Sequence, residues 1–258
     1  MSTVTNSTRA LFAAGGLALA GALVAGGIIL DKHIKLKKYK SLPLNLPENF
    51  TYTAHTGCMD TADNSLESFE AAVKNGADVV EFDLHFTSDG KPVLSHDEPK
   101  GKEISLDEAF ENLSRYKDLL INVDVKSTLN LKEVESLAEK HGISDRIFYT
   151  GVTEEFLDAV RKDTPAISYY LNMKVESKKD DEYINSLIEK VKESGAVGIN
   201  FNKKNASAKL VDAFHKNGLL VSVWTANNET DIRRLLALAP DNITTRRPDI
   251  IANIIKDC

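Results

Sequence analysis

From Thr51 onward the chain alternates short apolar, β-rich runs with amphipathic helical runs, and this alternation constrains the fold more than any other feature. The strand-like runs are YTAH at 52–55, DVVEFDL at 78–84, LLINVDVK at 119–126 and RIFYT at 146–150. They continue with AISYYL at 166–171, AVGINF at 196–201, LLVSVWT at 219–225 and NITT at 242–245. Helical segments lie between them, among them SLESFEAAVKNG, LKEVESLAEKHG, SAKLVDAFHKNG and ETDIRRLLALA. Three of these end in Gly, a helix-stop signature. Strands joined through helices form parallel sheets, and eight such units are what a (β/α)8 barrel requires. The expected fold is therefore α/β, a (β/α)8 TIM barrel. An open doubly wound sheet is the competitor, but no Gly-rich phosphate fingerprint follows the first strand. The segment HFTSDGKPVLSH carries an Asp89-Gly90 turn signal and reads as a β-hairpin on the barrel rim.

The N-terminus has a different character. Residues 10–30, ALFAAGGLALAGALVAGGIIL, contain no charge. About 20 apolar residues suffice to span a bilayer. A cleaved secretory signal has a shorter apolar core, about 7–15 residues. The stretch is therefore expected to be one N-terminal transmembrane helix. The expected organisation is a tail at 1–9, an anchor at 10–30, a basic linker at 31–50 and the barrel at 51–258. Only Arg9 precedes the anchor, whereas Lys32, Lys35, Lys37, Lys38 and Lys40 follow it. The positive-inside rule then assigns the barrel to the cytoplasm, with an extracytoplasmic barrel as the alternative. The same lysines suit anionic lipid headgroups. The net charge of −6 and the lack of a basic helix with interleaved aromatics exclude a nucleic-acid partner. Cys58 and Cys258 match no zinc spacing and no disulfide framework, so both are expected as free thiols.

Active residues of a parallel barrel sit where strands end and loops begin. Those positions hold His55-Thr56, Glu81 with Asp83, His96-Asp97, Asp124 with Lys126, Trp224-Thr225 and Arg246-Arg247. Glu81 and Asp83 are two apart and so share one face of their strand. A buried apolar strand does not carry two carboxylates without a partner, because unpaired buried charge is costly. Glu81, Asp83 and Asp124 together make an oxygen site suited to Mg²⁺ or Ca²⁺, with Mn²⁺ also compatible. Plain ion pairing, with Lys126 as the partner, is the structural alternative. Histidine as a residue type suits general acid/base work, which makes His55 and His96 the candidates for it. Two histidines flanking a divalent site form a set suited to cleaving a phosphodiester.

The run AHTGCMDTADNSLESFEAAVKNGADVVEFDLHFTSDGKPVLSHDE resembles the signature of the glycerophosphodiester phosphodiesterase family. The resembling residues are His55, Asn64-Ser65-Leu66 with Phe69, Glu81, Asp83, Thr87 through Val93, and His96-Asp97. They continue with Asp124-Val125-Lys126, Trp224-Thr225-Ala226-Asn227, Thr245 and Pro248-Asp249. The resemblance implies a (β/α)8 barrel that hydrolyses a glycerophosphodiester to glycerol 3-phosphate and an alcohol with a divalent cation. It implies His55 and His96 as the acid/base pair and Glu81, Asp83 and Asp124 as metal ligands. It further implies that Lys126 contacts the phosphate and that Trp224 lines the substrate pocket.

Departures from the family pattern carry their own expectations. Thr56 is expected at the substrate, beside Lys126, Trp224 and Arg246, but it stands where the family has Arg, so a bidentate phosphate donor is lost there. Asp124 replaces a Glu and is one methylene shorter. Arg246 replaces an Asp at the barrel mouth, and Arg246 or Arg247 is expected to supply the guanidinium that position 56 lacks. The segment from His96 to Asp124 is shorter than the family's, which implies a more open cleft. The competing functions are a lysophospholipase D or related barrel phospholipase acting on membrane lipid, and a barrel that binds phosphodiesters or lipid headgroups without turnover.

Overall fold

The computed structural model describes residues 34–177 and 180–256. It separates into two compact units, 1–43 and 44–258. In the first, the described residues form a short helix, α1, at 34–40. Lys37, Lys38 and Lys40 are exposed on it. The proposed anchor at 10–30 lies outside the described residues. Among the described residues no helix is long and apolar enough to cross a membrane.

The second unit is a closed barrel. Its strands are β1 (Thr51–Ala54), β2 (Val79–Phe86), β3 (Pro92–Leu94), β4 (Leu120–Val125), β5 (Ile147–Val152), β6 (Ser168–Asn172), β7 (Gly198–Asn202), β8 (Leu220–Trp224) and β9 (Asn242–Thr245). Eight pair in parallel in the order β1-β2-β4-β5-β6-β7-β8-β9, and β9 returns to β1. A closed ring leaves none of these eight as a free edge. The ninth strand, β3, pairs antiparallel with β2 through Leu84↔Leu94 and Phe86↔Pro92. It is the expected rim hairpin. Its turn closes with Gly90 N–H donating to Thr87 O at 2.8 Å, and Gly90 takes the positive φ of 81° that this turn needs.

Helices alternate with the strands: α2 (Leu66–Lys74), α3 (Leu106–Leu113), α4 (Leu131–His141), α5 (Leu157–Asp163), α6 (Asp181–Ser194), α7 (Ala208–Lys216), α8 (Glu229–Leu236) and α9 (Pro248–Lys256). Ser65, Ser105, Asp180, Ser207 and Asn228 cap helix N-termini, each accepting a backbone N–H with its side chain. Gly142 ends α4 in the left-handed conformation, as the His141-Gly142 pair predicted.

Strand parity divides the interior into two zones. On β2, Val80, Phe82 and Leu84 face the helices, and Phe82 packs between Phe69 of α2 and Phe110 of α3. Burying each such ring contributes roughly 1.5–3 kcal/mol. Residues of the other parity point into the bore, and there the sequence is polar: Thr53, Glu81, Asp83, Asn122, Thr150, Asn200, Ser222, Asn242 and Thr244 are all buried. The compact unit begins at Leu44 rather than Thr51. Leu44, Leu46 and Phe50 pack against the barrel core, so the last part of the expected linker belongs to the fold.

Candidate active site

Strand ends gather the site at the C-terminal mouth of the barrel. A cavity of about 570 Å³ opens there. Its lining includes His55, Glu81, Asp83, His96, Asp124, Lys126, Trp224 and Arg246. A larger cleft of about 690 Å³ lies between α2, α9 and residues 46–50, but no histidine lines it.

Register explains the carboxylates. β2 and β4 pair with Asp83 opposite Asp124 and Glu81 opposite Asn122, so three acidic side chains enter the bore side by side. Their oxygens lie within 4.8 Å of one another, and among the described residues they are the one such group. Each acid is held from outside the group. Glu81 Oε2 accepts from the Thr56 backbone N–H at 2.7 Å. Asn64 grips Asp83 twice: Nδ2 donates to Oδ2 at 3.0 Å, and Oδ1 accepts the Asp83 N–H at 2.9 Å. Thr150 Oγ donates toward Asp124 Oδ1 at 2.7 Å. Lys126 Nζ lies 3.1 Å from Asp83 Oδ1 and also bonds Asp124 Oδ2.

Three carboxylates face one ammonium, and charge balance is not reached. Burial raises the Glu81 carboxyl well above its ordinary range, and Asp83 and Asp124 push it further. Burial works against the Lys126 charge, but Asp124 and Asp83 outweigh it and the ammonium is raised. A second cation would relieve this imbalance. The ligand set is all hard oxygen, which fits Mg²⁺, Ca²⁺ or Mn²⁺ and disfavours soft metals.

The histidines differ in setting. His55 follows β1 and its Nδ1 sits 2.9 Å from Thr56 O, 3.3 Å from Arg246 Nε and 4.0 Å from Glu81 Oε2. Nδ1 cannot both donate to a carbonyl and accept from a guanidinium. The shorter contact favours Nδ1–H donating to Thr56 O, which leaves the Nε2 lone pair available. His96 follows β3 and its side chain is 67% exposed. Its Nδ1 meets Asp97 Oδ1 at 2.9 Å, and this bond holds the Asp97 carboxyl below its ordinary range.

The remaining expected substrate contacts divide. Trp224, 37% exposed, lines the cavity wall. Arg246 lines it too, with Nη2 donating to Asp63 Oδ1 at 2.7 Å. Arg247 turns away and pairs with Asp249 at 2.8 and 2.6 Å. Thr56 departs from expectation. It is 2% exposed, does not line the cavity, and places Oγ toward Asn64. Its Oγ accepts the Asn64 backbone N–H in the segment before α2, which turns the side chain out of the cavity. What it contributes is its backbone, the N–H to Glu81 and the carbonyl to His55 Nδ1.

Several residues were not anticipated in chemical terms. Asn64 clamps Asp83 from 19 positions upstream, and Thr150, Phe156, Asn172 and Asn200 also belong to the site. Bore parity on β5, β6 and β7 was the available signal, since an Asn or Thr on a buried strand needs a reason.

A profile of the "Glycerophosphoryl diester phosphodiesterase family" matches residues 51–119 and 98–250. A glycerophosphodiester phosphodiesterase of Caldanaerobacter subterraneus subsp. tengcongensis is 24% identical over 246 residues, covering 79% of this chain and 96% of that protein. The crystal structure of a glycerophosphodiester phosphodiesterase from Thermotoga maritima superposes with a TM-score of 0.64 at 21% identity, covering 80% of this chain and 98% of that one. An Oleispira antarctica phosphodiesterase, solved in complex with the product sn-glycerol-3-phosphate, gives 0.67 at 20% identity, covering 84% and 98%. These structural likenesses bear on the fold, and the profile, which spans most of the sequence, bears on descent: the chain belongs to the glycerophosphoryl diester phosphodiesterase family, a family of phosphoric diester hydrolases.

Proposed function

We propose that the protein hydrolyses a glycerophosphodiester to glycerol 3-phosphate and an alcohol, with His55 and His96 as the acid/base pair. The observation that carries this reading is the convergence of three carboxylates, two histidines, Lys126 and Arg246 on one cavity. Glu81, Asp83 and Asp124 hold a divalent cation, which when bound neutralises phosphate charge and polarises the P–O bond. Lys126 and Arg246 attract and orient the phosphate. Arg246, held by Asp63, supplies the guanidinium that position 56 lacks. One histidine takes a proton from the attacking water oxygen. The other gives a proton to the alcohol oxygen as its bond to phosphorus breaks. Trp224 lines the path of the substrate arm. The Oleispira relative, with glycerol 3-phosphate bound in the same fold, supports this product.

A soluble glycerophosphodiester is the favoured substrate, and lysophospholipid is the competing one. Incubating the full chain with glycerophosphocholine and with lysophosphatidylcholine separates them. Choline release from the first, abolished by chelator and restored by Mg²⁺, Ca²⁺ or Mn²⁺, is expected. His96→Ala should lower kcat by about 10²–10⁴-fold. Its exposed side chain means that thermal stability should barely move. Release from neither substrate would defeat the hydrolase reading for this chain.

The apolar stretch 10–30 supports a further part of this proposal: the barrel is tethered to a membrane, with the lysines that follow the stretch on the cytoplasmic side against anionic headgroups.

A further inference from the structure

Across the bore from the carboxylates, β6 and β7 carry Asn172 and Asn200, and both line the cavity. A single backbone group fixes how their amides are turned. The Gly151 N–H only donates, so the Asn172 atom 3.1 Å from it is the oxygen, Oδ1. The Asn200 atom 2.9 Å from that same oxygen must then be Nδ2. Turning the Asn200 amide over would set two oxygens face to face.

Asn200 is 5% exposed, and its remaining oxygen, Oδ1, is buried with no hydrogen-bond partner among the described residues. A buried amide acceptor left unpaired is costly, so a donor is expected to reach it. Asn172 is only half-buried, and the bonds its amide makes among the described residues run through Oδ1, which leaves Nδ2 to donate. One end of the cavity is therefore lined by two amides on neighbouring strands, one carrying a covered, unpaired acceptor and the other a donor.

We propose that Asn172 and Asn200 form the subsite for the hydroxylated, glycerol arm of the substrate. Asn200 Oδ1 accepts from one hydroxyl and Asn172 Nδ2 donates to the same or the adjacent one. The proposal rests on the phosphodiesterase reading above and deepens it. A hydroxyl is both donor and acceptor and satisfies this pair, whereas an alkyl or quaternary ammonium arm offers neither. The rest of the cavity is chemically distinct. Lys126 and Arg246 bring positive charge for the phosphate, and Phe156 and Trp224 provide apolar walls that demand no hydroxyl. A small polyol thus belongs at the amides, and the bulkier alcohol leaves along the apolar side.

Isothermal titration of the full chain, with divalent cation present, tests this with two ligands. These are sn-glycerol 3-phosphate and n-propyl phosphate, which keeps the phosphate and the chain length but has no hydroxyls. The wild type should favour the glycerol ligand by about 10-fold or more, because a site built to bond a hydroxyl rejects the analogue without it. Asn200→Leu, close in volume, and Asn172→Asp, which keeps the acceptor for Gly151 but loses the donor, should each collapse that ratio. Both ligands carry the same phosphate, so the ratio cancels changes at the phosphate end, including the added charge of Asp. Thermal melts identify which variants fold, and Asn200→Ala replaces Asn200→Leu if the latter does not. Equal affinities in the wild type, or a ratio unchanged in the folded variants, would overturn this subsite while diester hydrolysis stands. Failure to bind either ligand, with no diester hydrolysed, would overturn the phosphodiesterase reading along with it.

Discussion

Glu81 embodies a conflict between folding and chemistry. It sits buried beside Asp83 and Asp124, and both burial and those neighbours raise its carboxyl. A carboxyl that binds its proton more tightly folded than unfolded contributes stability that is present at low pH. That contribution is lost as pH rises through the folded value. The chelated protein should therefore lose stability above the ordinary glutamate range. Glu81→Gln should remove this fall and raise the Tm of the chelated protein at neutral pH. The same change should abolish stabilisation by divalent cation. In the wild type a cation at about 100 times its Kd adds roughly 2.7 kcal/mol, which corresponds to about 5–10 °C in Tm for a chain of this size. Melts with and without metal, run on both proteins, check the two halves together. Equal metal-induced shifts in both would remove Glu81 from the ligand set.

At the scale of elements, the site depends on how closely β4 and β5 approach. Gly151 near the end of β5 has a φ of 74°, and a Cβ there would lie 2.5 Å from Val125 O and 2.9 Å from Asp124 Oδ1. No flexible side chain is available to yield on the backbone side of that contact. Gly151→Ala should destabilise the protein by more than about 1 kcal/mol, since alanine at positive φ adds strain to the clash. It should also weaken metal binding by displacing Asp124, measurable as a smaller metal-induced Tm shift. Unaltered melting and metal response would show that the two strands can part without cost. The rim hairpin belongs to the same scale. Asn130, at the start of α4, donates through Nδ2 to Gly90 O at 3.0 Å and ties the turn to the neighbouring helix. The hairpin thereby returns the chain to Ser95, whose N–H bonds Asp83 O at 3.0 Å, one residue before His96.

For the whole molecule, the open proposal concerns tethering. Residues 1–50 hold six basic and two acidic residues, although the chain as a whole is acidic. A basic flank beside an uncharged apolar stretch is the pattern that holds a protein at an anionic cytoplasmic surface. The full chain is expected to stay with the membrane pellet through high salt and alkaline carbonate, and to leave it only with detergent. Protease added to intact cells should spare the barrel. Release by salt alone would replace the anchor with a surface attachment, and digestion from outside would reverse the orientation.

The alternation of β and helical runs, the parity of Glu81 and Asp83, and the Asp89-Gly90 turn are local properties, and the sequence by itself determined from them the barrel, the rim hairpin and the strand ends at which the acids and histidines stand. These signals survive in one dimension because a strand alternates its faces every residue and a turn needs particular residue types. Tertiary structure decided what depends on neighbours distant in sequence. It turned Thr56 out of the cavity and left its backbone to hold Glu81, and it set Asn64 on Asp83. It set Arg246 in the cavity wall and Arg247 outside it, although each arginine is paired with an Asp, Asp63 and Asp249. It also brought Asn172 and Asn200 together from 28 residues apart and left Asn200 Oδ1 without a partner among the described residues. The physical reason is that hydrogen-bond satisfaction and charge balance belong to the closed bore, where side chains from eight strands meet, and no single segment carries that information.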